Sequence, residues 1–236
     1  MDVASFLRRV PLFDCLGDQE LEALAEVTFP RTFDKGQLII LAEEPGDTLF
    51  IVRSGQVKVS LTHASGKEFI LSLLGEGEFF GELALLDERP RSASVVAIEE
   101  TVLLMLRRPE FLQLLGKVPA IAVALLEELA SRLRRTDEQI GGLALLDVHN
   151  RVARTLLHLA ATSGEASDDG LAIQQRLTHQ QLANMAGTTR ETVTRVLKQL
   201  ERDGYIRSEG RSIIVLSGGS QAMGADDLVA SGADDD

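Results

Sequence analysis

Residues able to hold an anion lie close together in one stretch, Gly81-Glu82-Leu83-Ala84-Leu85-Leu86 followed by Asp87-Glu88-Arg89-Pro90-Arg91-Ser92-Ala93. Glu-Leu-Ala-Leu-Leu behind a glycine is strongly helix-forming. The first turn of a helix leaves backbone N–H groups without intrahelical partners, and these suit an anion. Arg91 is placed to lie beside that helix start, with Ser92 as a further donor. A guanidinium matches phosphate through two parallel hydrogen bonds. Glu82, an acceptor, has nothing to take from a phosphate but can accept from a sugar hydroxyl. The same residues also allow a plain Arg91–Glu82 ion pair with no ligand.

A second set follows Thr188 and Thr189 in the stretch RETVTRVLKQLERDG. Read as a helix, it puts Arg190, Glu191, Thr194, Arg195 and Lys198 on an exposed, N-terminal side and Val193, Val196, Leu197 and Leu200 on a core face. Arginine can read guanine by two hydrogen bonds, and glutamate can accept from cytosine. Two local alternatives stand beside this. Thr188 and Glu191 fit a capping box, and Arg195 can pair with Glu191 at i, i+4 for a few tenths of a kcal/mol.

Elements to position both sets are legible. Leu7 to Val27 reads as short helices, with Asp18 as an N-cap. From Phe33 to Leu106 short apolar runs are punctuated by Gly36, Gly46, Gly55, Gly66, Gly75, Gly77 and Gly81, the texture of a β-barrel or sandwich. Phe50–Val52, Val57–Leu61 and Phe69–Leu73 fit strands, Ala64–Lys67 fits a hairpin turn, and Glu110–Leu115 turns helical. Farther on, Thr178-His179-Gln180-Gln181 has the pattern of a capping box before a short helix that Gly187 ends. Gly204 ends the next helix, and Tyr205–Arg207, Ser208–Arg211 and Ser212–Leu216 form a short hairpin, with Ser208–Arg211 between its strands. Helix, turn, helix and hairpin make a winged helix-turn-helix. Thr162–Gly170 reads as a polar loop.

Between the two halves, Pro119–Leu146 reads as one long helix. Steps of four and three from Ala122 reach Leu126, Leu129, Leu133, Thr136, Ile140 and Leu143, the seam of a two-stranded coiled coil. An amphipathic core helix is the alternative. Glu127, Glu128, Arg132, Arg134, Arg135 and Glu138 form the charged outer face. Thr136, polar at the seam, either back-bonds to the carbonyl four residues earlier or meets a polar partner. Gly141 and Gly142 each cost a helix interior about 1 kcal/mol relative to alanine, which makes them a hinge, and Asp147 caps the helix that follows.

The chain has 236 residues and a formal charge of −12. That charge argues against indiscriminate nucleic-acid binding, but Arg176–Arg211 holds 7 basic against 4 acidic residues. A lone Cys15 excludes an internal disulfide and all-cysteine metal sites, and the four histidines lack metal-ligand spacing, so no metal is expected. Met1–Val10 does not read as a signal peptide, and the longest uncharged apolar run, Val118–Leu126, is too short for a bilayer. A reduced, cytoplasmic protein is expected.

Phe80-Gly81-Glu82-Leu83-Ala84-Leu85-Leu86 and Pro90-Arg91-Ser92-Ala93 resemble the phosphate-binding cassette of the cyclic-nucleotide-binding domain family, with the same spacing. Together with Leu143–Val148, Arg132–Ile140 and Arg190–Glu201, the chain to about residue 216 resembles the cAMP receptor protein/FNR superfamily of bacterial transcription regulators. The resemblance implies an α+β chain. Residues 1–116 would form a jelly-roll-like cyclic-nucleotide-binding β-roll, 117–146 a dimerisation helix and hinge, and 147–216 a winged helix-turn-helix. Residues 217–236 are expected to be a disordered acidic tail. The resemblance further implies that Gly81, Glu82, Leu83, Ala84, Arg91, Ser92 and Thr136 bind cAMP, an allosteric ligand, with Glu82 on the ribose. It implies that Arg190, Glu191 and Arg195 contact bases in a palindrome with half-sites like TGTGA. A homodimer, RNA polymerase as a further partner, and no enzymatic activity follow from it as well. The family has a serine where this chain has Asp137, so cGMP or cyclic di-GMP stands as an alternative ligand.

Overall fold

The structure, a computed structural model, describes residues 2–173, 177–209 and 212–218. It begins with two short helices, α1 (Val3–Leu7) and α2 (Asp18–Glu26), separated by a 3-10 turn at Pro11–Phe13. Asp18 is the first helical residue rather than the cap. Gly17 holds the cap position, and its N–H donates to the Glu20 carboxylate at 2.9 Å. An acid at the third helical position serves that free N–H from inside the helix.

Eight strands follow: β1 (Thr28–Phe33), β2 (Leu38–Ile40), β3 (Thr48–Ser54), β4 (Val57–Thr62), β5 (Glu68–Leu74), β6 (Phe79–Phe80), β7 (Ser94–Ala97) and β8 (Thr101–Arg107). Helix α3 (Glu82–Asp87) interrupts them after β6. Then come α4 (Arg108–Lys117) and α5 (Pro119–Leu145), which meet at 111° across Val118. All the pairings are antiparallel, in two sheets ordered β1-β8-β3-β6 and β2-β7-β4-β5, the strand order of a jelly roll.

β3 and β8 are apolar at consecutive positions because both of their faces are buried. Leu49, Ile51, Leu104 and Leu106 join a core with Phe6, Leu21, Phe111, Ile121 and Leu125 of the surrounding helices. Phe50, Val52 and Leu103 join a second core with Phe33, Val57, Phe80 and Val95, inside the sandwich. The first core ties α5 to the roll and takes in Leu85 of α3, and the second fills the inside of the sandwich.

The chain packs as two compact units, Met1–Thr136 and Asp137–Asp236, and α5 contributes to both. In the second unit α6 (Val148–Ser163) is capped by Asp147, whose carboxylate accepts from the Asn150 N–H at 2.8 Å. β9 (Gly164–Ser167), β10 (Gly170–Ile173), α7 (His179–Ala186), α8 (Arg190–Arg202), β11 (Ile206–Glu209) and β12 (Ser212–Leu216) complete it, with the sheet ordered β11-β12-β10-β9. The expected loop at Thr162–Gly170 is therefore the end of α6 plus an edge strand. β9 is held by backbone pairing to β10, which its small polar side chains do not advertise.

Thr178 and Gln181 close the expected capping box on α7, and Gly187 ends that helix. α8 starts one residue later than its box predicts. The Thr188 N–H is still donated back to Ala183, so the first extended residue is Thr189, whose hydroxyl accepts from the Thr192 N–H. Ser208 and Glu209, expected between the hairpin strands, belong to β11; Gly210, Arg211 and residues 219–236 lie outside the described residues, whereas Ser217 donates its N–H to the Asp169 carbonyl. Among the described residues no single helix is long and apolar enough to cross a membrane.

Candidate functional site

β6 runs into α3 through Gly81, which takes a left-handed conformation, φ 86°, at the N-cap. Two constraints meet there. A Cβ would strain the backbone, and it would lie 2.5 Å from Arg91 Nη1. The turn aims the first amides of α3, those of Leu83 and Ala84 included, out of the helix end. Arg91, only 6% exposed, crosses beside this turn. Its Nη1 donates to the Gly81 carbonyl at 2.7 Å and its Nη2 to the Thr48 carbonyl at 2.8 Å, with the Phe50 ring 5.9 Å away. Burial lowers the guanidinium pKa from its ordinary value, and Asp47 and Glu82 push it back up. Two carbonyls occupy two of the five N–H donors, and the rest remain for an anion. Ser92 follows in an exposed position.

Gly46 is what lets Arg91 lie there. A Cβ on Gly46 would sit 1.8 Å from Arg91 Nε, and the φ of Gly46 lies outside the range that L residues avoid. Gly46→Ala is therefore expected to displace the guanidinium from the Gly81 and Thr48 carbonyls, at a cost in stability of about 1–3 kcal/mol for the acceptors left short. Anion or nucleotide affinity should fall about tenfold, the worth of one misplaced charge-assisted bond. A thermal melt beside a calorimetric titration checks both halves. In the sequence Gly46 showed only as turn punctuation.

Glu82 does not pair with Arg91. Its carboxylate, with a side chain 5% exposed, accepts from Arg132 Nη1 at 3.0 Å. Arg132, assigned by the sequence pattern to the outer face of α5, instead turns toward β6. Its Nη2 donates to the Phe79 carbonyl at 2.7 Å, and its guanidinium lies 4.6 Å from the centre of the Phe79 ring. The one local signal for this role is the i, i+4 spacing of Arg132 from Glu128.

The structure thus brings Gly81, Glu82, Leu83, Ala84, Arg91 and Ser92 together and adds Arg132. Thr136 and Asp137 are exposed on α5, and the Thr136 hydroxyl donates to the Arg132 carbonyl at 2.9 Å, the local alternative. Leu129 of the expected seam is partly buried against the roll, whereas Leu126, Leu133, Ile140 and Leu143 are exposed. Gly141 and Gly142 lie within α5, and an added Cβ would meet nothing closer than 3.9 Å at either.

On α8, Arg190, Glu191, Arg195 and Lys198 are exposed. Among the described residues Arg195 makes no ion pair with Glu191. The Glu191 carboxyl is lowered by its own backbone N–H and by the Thr189 hydroxyl, so it stays ionised. Thr194 is half-buried. Its hydroxyl donates to the Arg190 carbonyl at 2.9 Å and lies 2.8 Å from His179 Nδ1. With that hydrogen given to the Arg190 carbonyl, the Nδ1–H tautomer of His179 completes the contact by donating to Thr194. Thr194 and His179 thereby fix the first turn of α8 against α7, a link the sequence did not reveal.

Residues 30–117 match the cyclic nucleotide-binding domain family, and residues 150–218 match the Crp-like helix-turn-helix domain. The cyclic AMP receptor protein of Thermus thermophilus is 41% identical over 197 residues, 84% of this chain and 88% of that protein. The CRP-like cAMP-activated global transcriptional regulator of Mycobacterium tuberculosis is 34% identical over 209 residues, 89% of this chain and 93% of that protein. The structure of the c-di-GMP responsive global regulator CLP of Xanthomonas campestris is similar with a TM-score of 0.72 at 26% identity, covering 85% of this chain and 100% of that one. These domains and relatives are those of regulators, not enzymes. With both domains in order and identity sustained over most of its length, the chain belongs to the CRP/FNR family of transcription regulators, its cyclic nucleotide-binding domain preceding a DNA-binding helix-turn-helix.

Proposed function

We propose that the chain is a homodimeric regulator that binds cAMP in the jelly roll and, when occupied, engages a palindromic DNA site with half-sites like TGTGA. The observation that carries this reading is a buried arginine with unused donors beside the open N-terminal turn of α3. The naming of the Thermus and Mycobacterium relatives for cAMP supports the choice of ligand. Arg91, Ser92 and the amides of Leu83 and Ala84 hold the cyclic phosphate, and Glu82 accepts from the ribose 2′-hydroxyl. Thr136 meets the adenine. Its hydroxyl hydrogen goes to Arg132, but its lone pairs remain to accept from an amine. The partner's Asp137 reaches the same nucleotide. Arg190, Glu191 and Arg195 read base edges, while Thr188, Thr189 and Lys198 lie toward the backbone phosphates; Thr194, whose hydroxyl is taken up by Arg190 and His179, steadies α8 instead. RNA polymerase is the further partner, in the cytoplasm.

Titrating labelled palindromic DNA with and without cAMP tests this directly. Tightening by cAMP is expected; equal affinity in both titrations would overturn it. A second reading, cyclic di-GMP as the ligand, is favoured by Asp137 and by the likeness to the Xanthomonas regulator. Calorimetry with cAMP, cGMP and cyclic di-GMP separates the two, and heat from cyclic di-GMP alone would decide for the second.

In this reading the Gly141–Gly142 pair keeps the end of α5 marginal, and ligand stabilises it. Gly141→Ala, for which there is space, strengthens that segment by about 1 kcal/mol. DNA affinity without nucleotide should rise about fivefold per protomer. An unchanged ligand requirement would count against the hinge.

A further inference from the structure

We propose that Glu128 is a positioning residue: by holding Arg132 against Glu82 it gives the pocket its preference for a nucleotide with a free 2′-hydroxyl. The inference rests on the nucleotide reading above. A buried carboxylate such as that of Glu82 calls for a paired cation, and among the described residues Arg132 is the one in ion-pair contact with it. Arg132 is fixed in three directions at once. Nη1 goes to Glu82, Nη2 to the Phe79 carbonyl, and Nε to Glu128 Oε1 at 2.7 Å. A planar fork held at Nε and at both terminal nitrogens cannot rotate without breaking all three bonds.

The Nε bond is the one made from within α5. Glu128 precedes Arg132 by four residues, the favourable order for such a pair on a helix. Glu128 is itself steadied by Arg135, whose Nη2 donates to the same Oε1 at 3.1 Å. One oxygen therefore sits between two cations that stand three residues apart on one helix face. Without it the two guanidinium groups repel and Arg132 is held only from the roll. Glu82 would then face the sugar with a looser counter-ion, as a carboxylate less firmly fixed in place. Such a change weakens a bond to a sugar hydroxyl and leaves the phosphate contacts at Arg91 untouched.

Glu128 is also separable from folding. Its side chain is 33% exposed, and the network borders an open cavity of about 460 Å³ rather than the core. Glu78 and Glu127 also line that cavity, and the carboxyl of Glu78 is raised by its own burial and lowered by the Gly75 N–H, Arg132 and Arg135.

The test compares cAMP with 2′-deoxy-cAMP by calorimetry on the full chain. The unaltered protein should prefer cAMP by about tenfold or more, the worth of one hydrogen bond to a charged group. E128A should bring that ratio to about threefold or less by weakening cAMP alone, with 2′-deoxy-cAMP affinity unchanged and the melting temperature lowered by only a few degrees, the worth of two half-exposed ion pairs. R135A should move the ratio the same way by less. Equal weakening of both nucleotides, or no change in either, overturns the proposal while leaving the nucleotide reading intact. If the unaltered protein bound neither nucleotide, that reading would fail and this inference with it.

Discussion

Replacing Arg91 with glutamine is expected to lower cyclic nucleotide affinity by at least about a hundredfold while the protein stays folded. Charge-assisted hydrogen bonds contribute about 1.5–3 kcal/mol each, and a clamp on phosphate makes two of them. At about 1.4 kcal/mol per tenfold, losing both gives two to four orders of magnitude. The cost in stability is smaller. Arg91 donates to the Gly81 and Thr48 carbonyls, so its loss leaves two acceptors short, at about 1–3 kcal/mol, partly offset because no buried charge remains to be desolvated. The substituted glutamine retains an amide that can serve one carbonyl. Calorimetric titration of Arg91→Gln beside a thermal melt separates the two effects. A folded variant with unchanged affinity would remove Arg91 from the phosphate site. Gly46→Ala should fall between this variant and the unaltered protein, because it moves the same guanidinium without deleting it.

What the sequence made legible divides along local and non-local lines. The Glu82 helix, the box on α7, the Asp147 cap and the glycine-punctuated strands each rest on residues a few positions apart, and each stands where expected. Sheet order does not. β1 pairs with β8, so Thr28 faces Leu106, and no periodicity within either strand names its partner. The Arg132–Glu82 bridge fails for the same reason. A heptad pattern can say that Arg132 is off the seam, but not which of several outer-face arginines turns back onto the roll 50 residues upstream. Leu129 was placed on the seam because the step of three reached it, whereas the roll also claims it. A helix gripped on two sides has no single apolar stripe. β9 carries no apolar alternation because its hold on β10 is backbone pairing and one Ser167 hydroxyl bond to the Gly170 carbonyl, and α8 starts one residue later than its box because Thr188 is still completing α7.

Leu133→Glu is expected to convert a dimer into monomers and to take sequence-specific DNA binding with it. α5 buries Ile121 and Leu125 completely against the roll, yet leaves Leu126, Leu133 and Ile140 65%, 62% and 58% exposed. These three recur every seven residues, which keeps them on one line down a coiled-coil seam. Burying a leucine contributes about 1.5–3 kcal/mol, and in a two-fold seam each substitution acts twice. Two glutamates brought face to face add repulsion in a place from which water is excluded. The sum reaches roughly 4–6 kcal/mol, so the dimer dissociation constant should rise about a thousandfold or more. Sedimentation velocity across a concentration series checks it, and an unaltered dimer in the variant would place the interface elsewhere. Leu133 takes no part in the bonds joining Glu82, Arg132 and Glu128, so the phosphate contacts of each roll should survive in the monomer. The adenine end should not, because that is where the partner's Asp137 is proposed to reach. Residual nucleotide binding by the monomer therefore measures how much of the pocket one chain supplies, and lost binding to a palindrome but not to phosphate locates the requirement for two chains at the DNA.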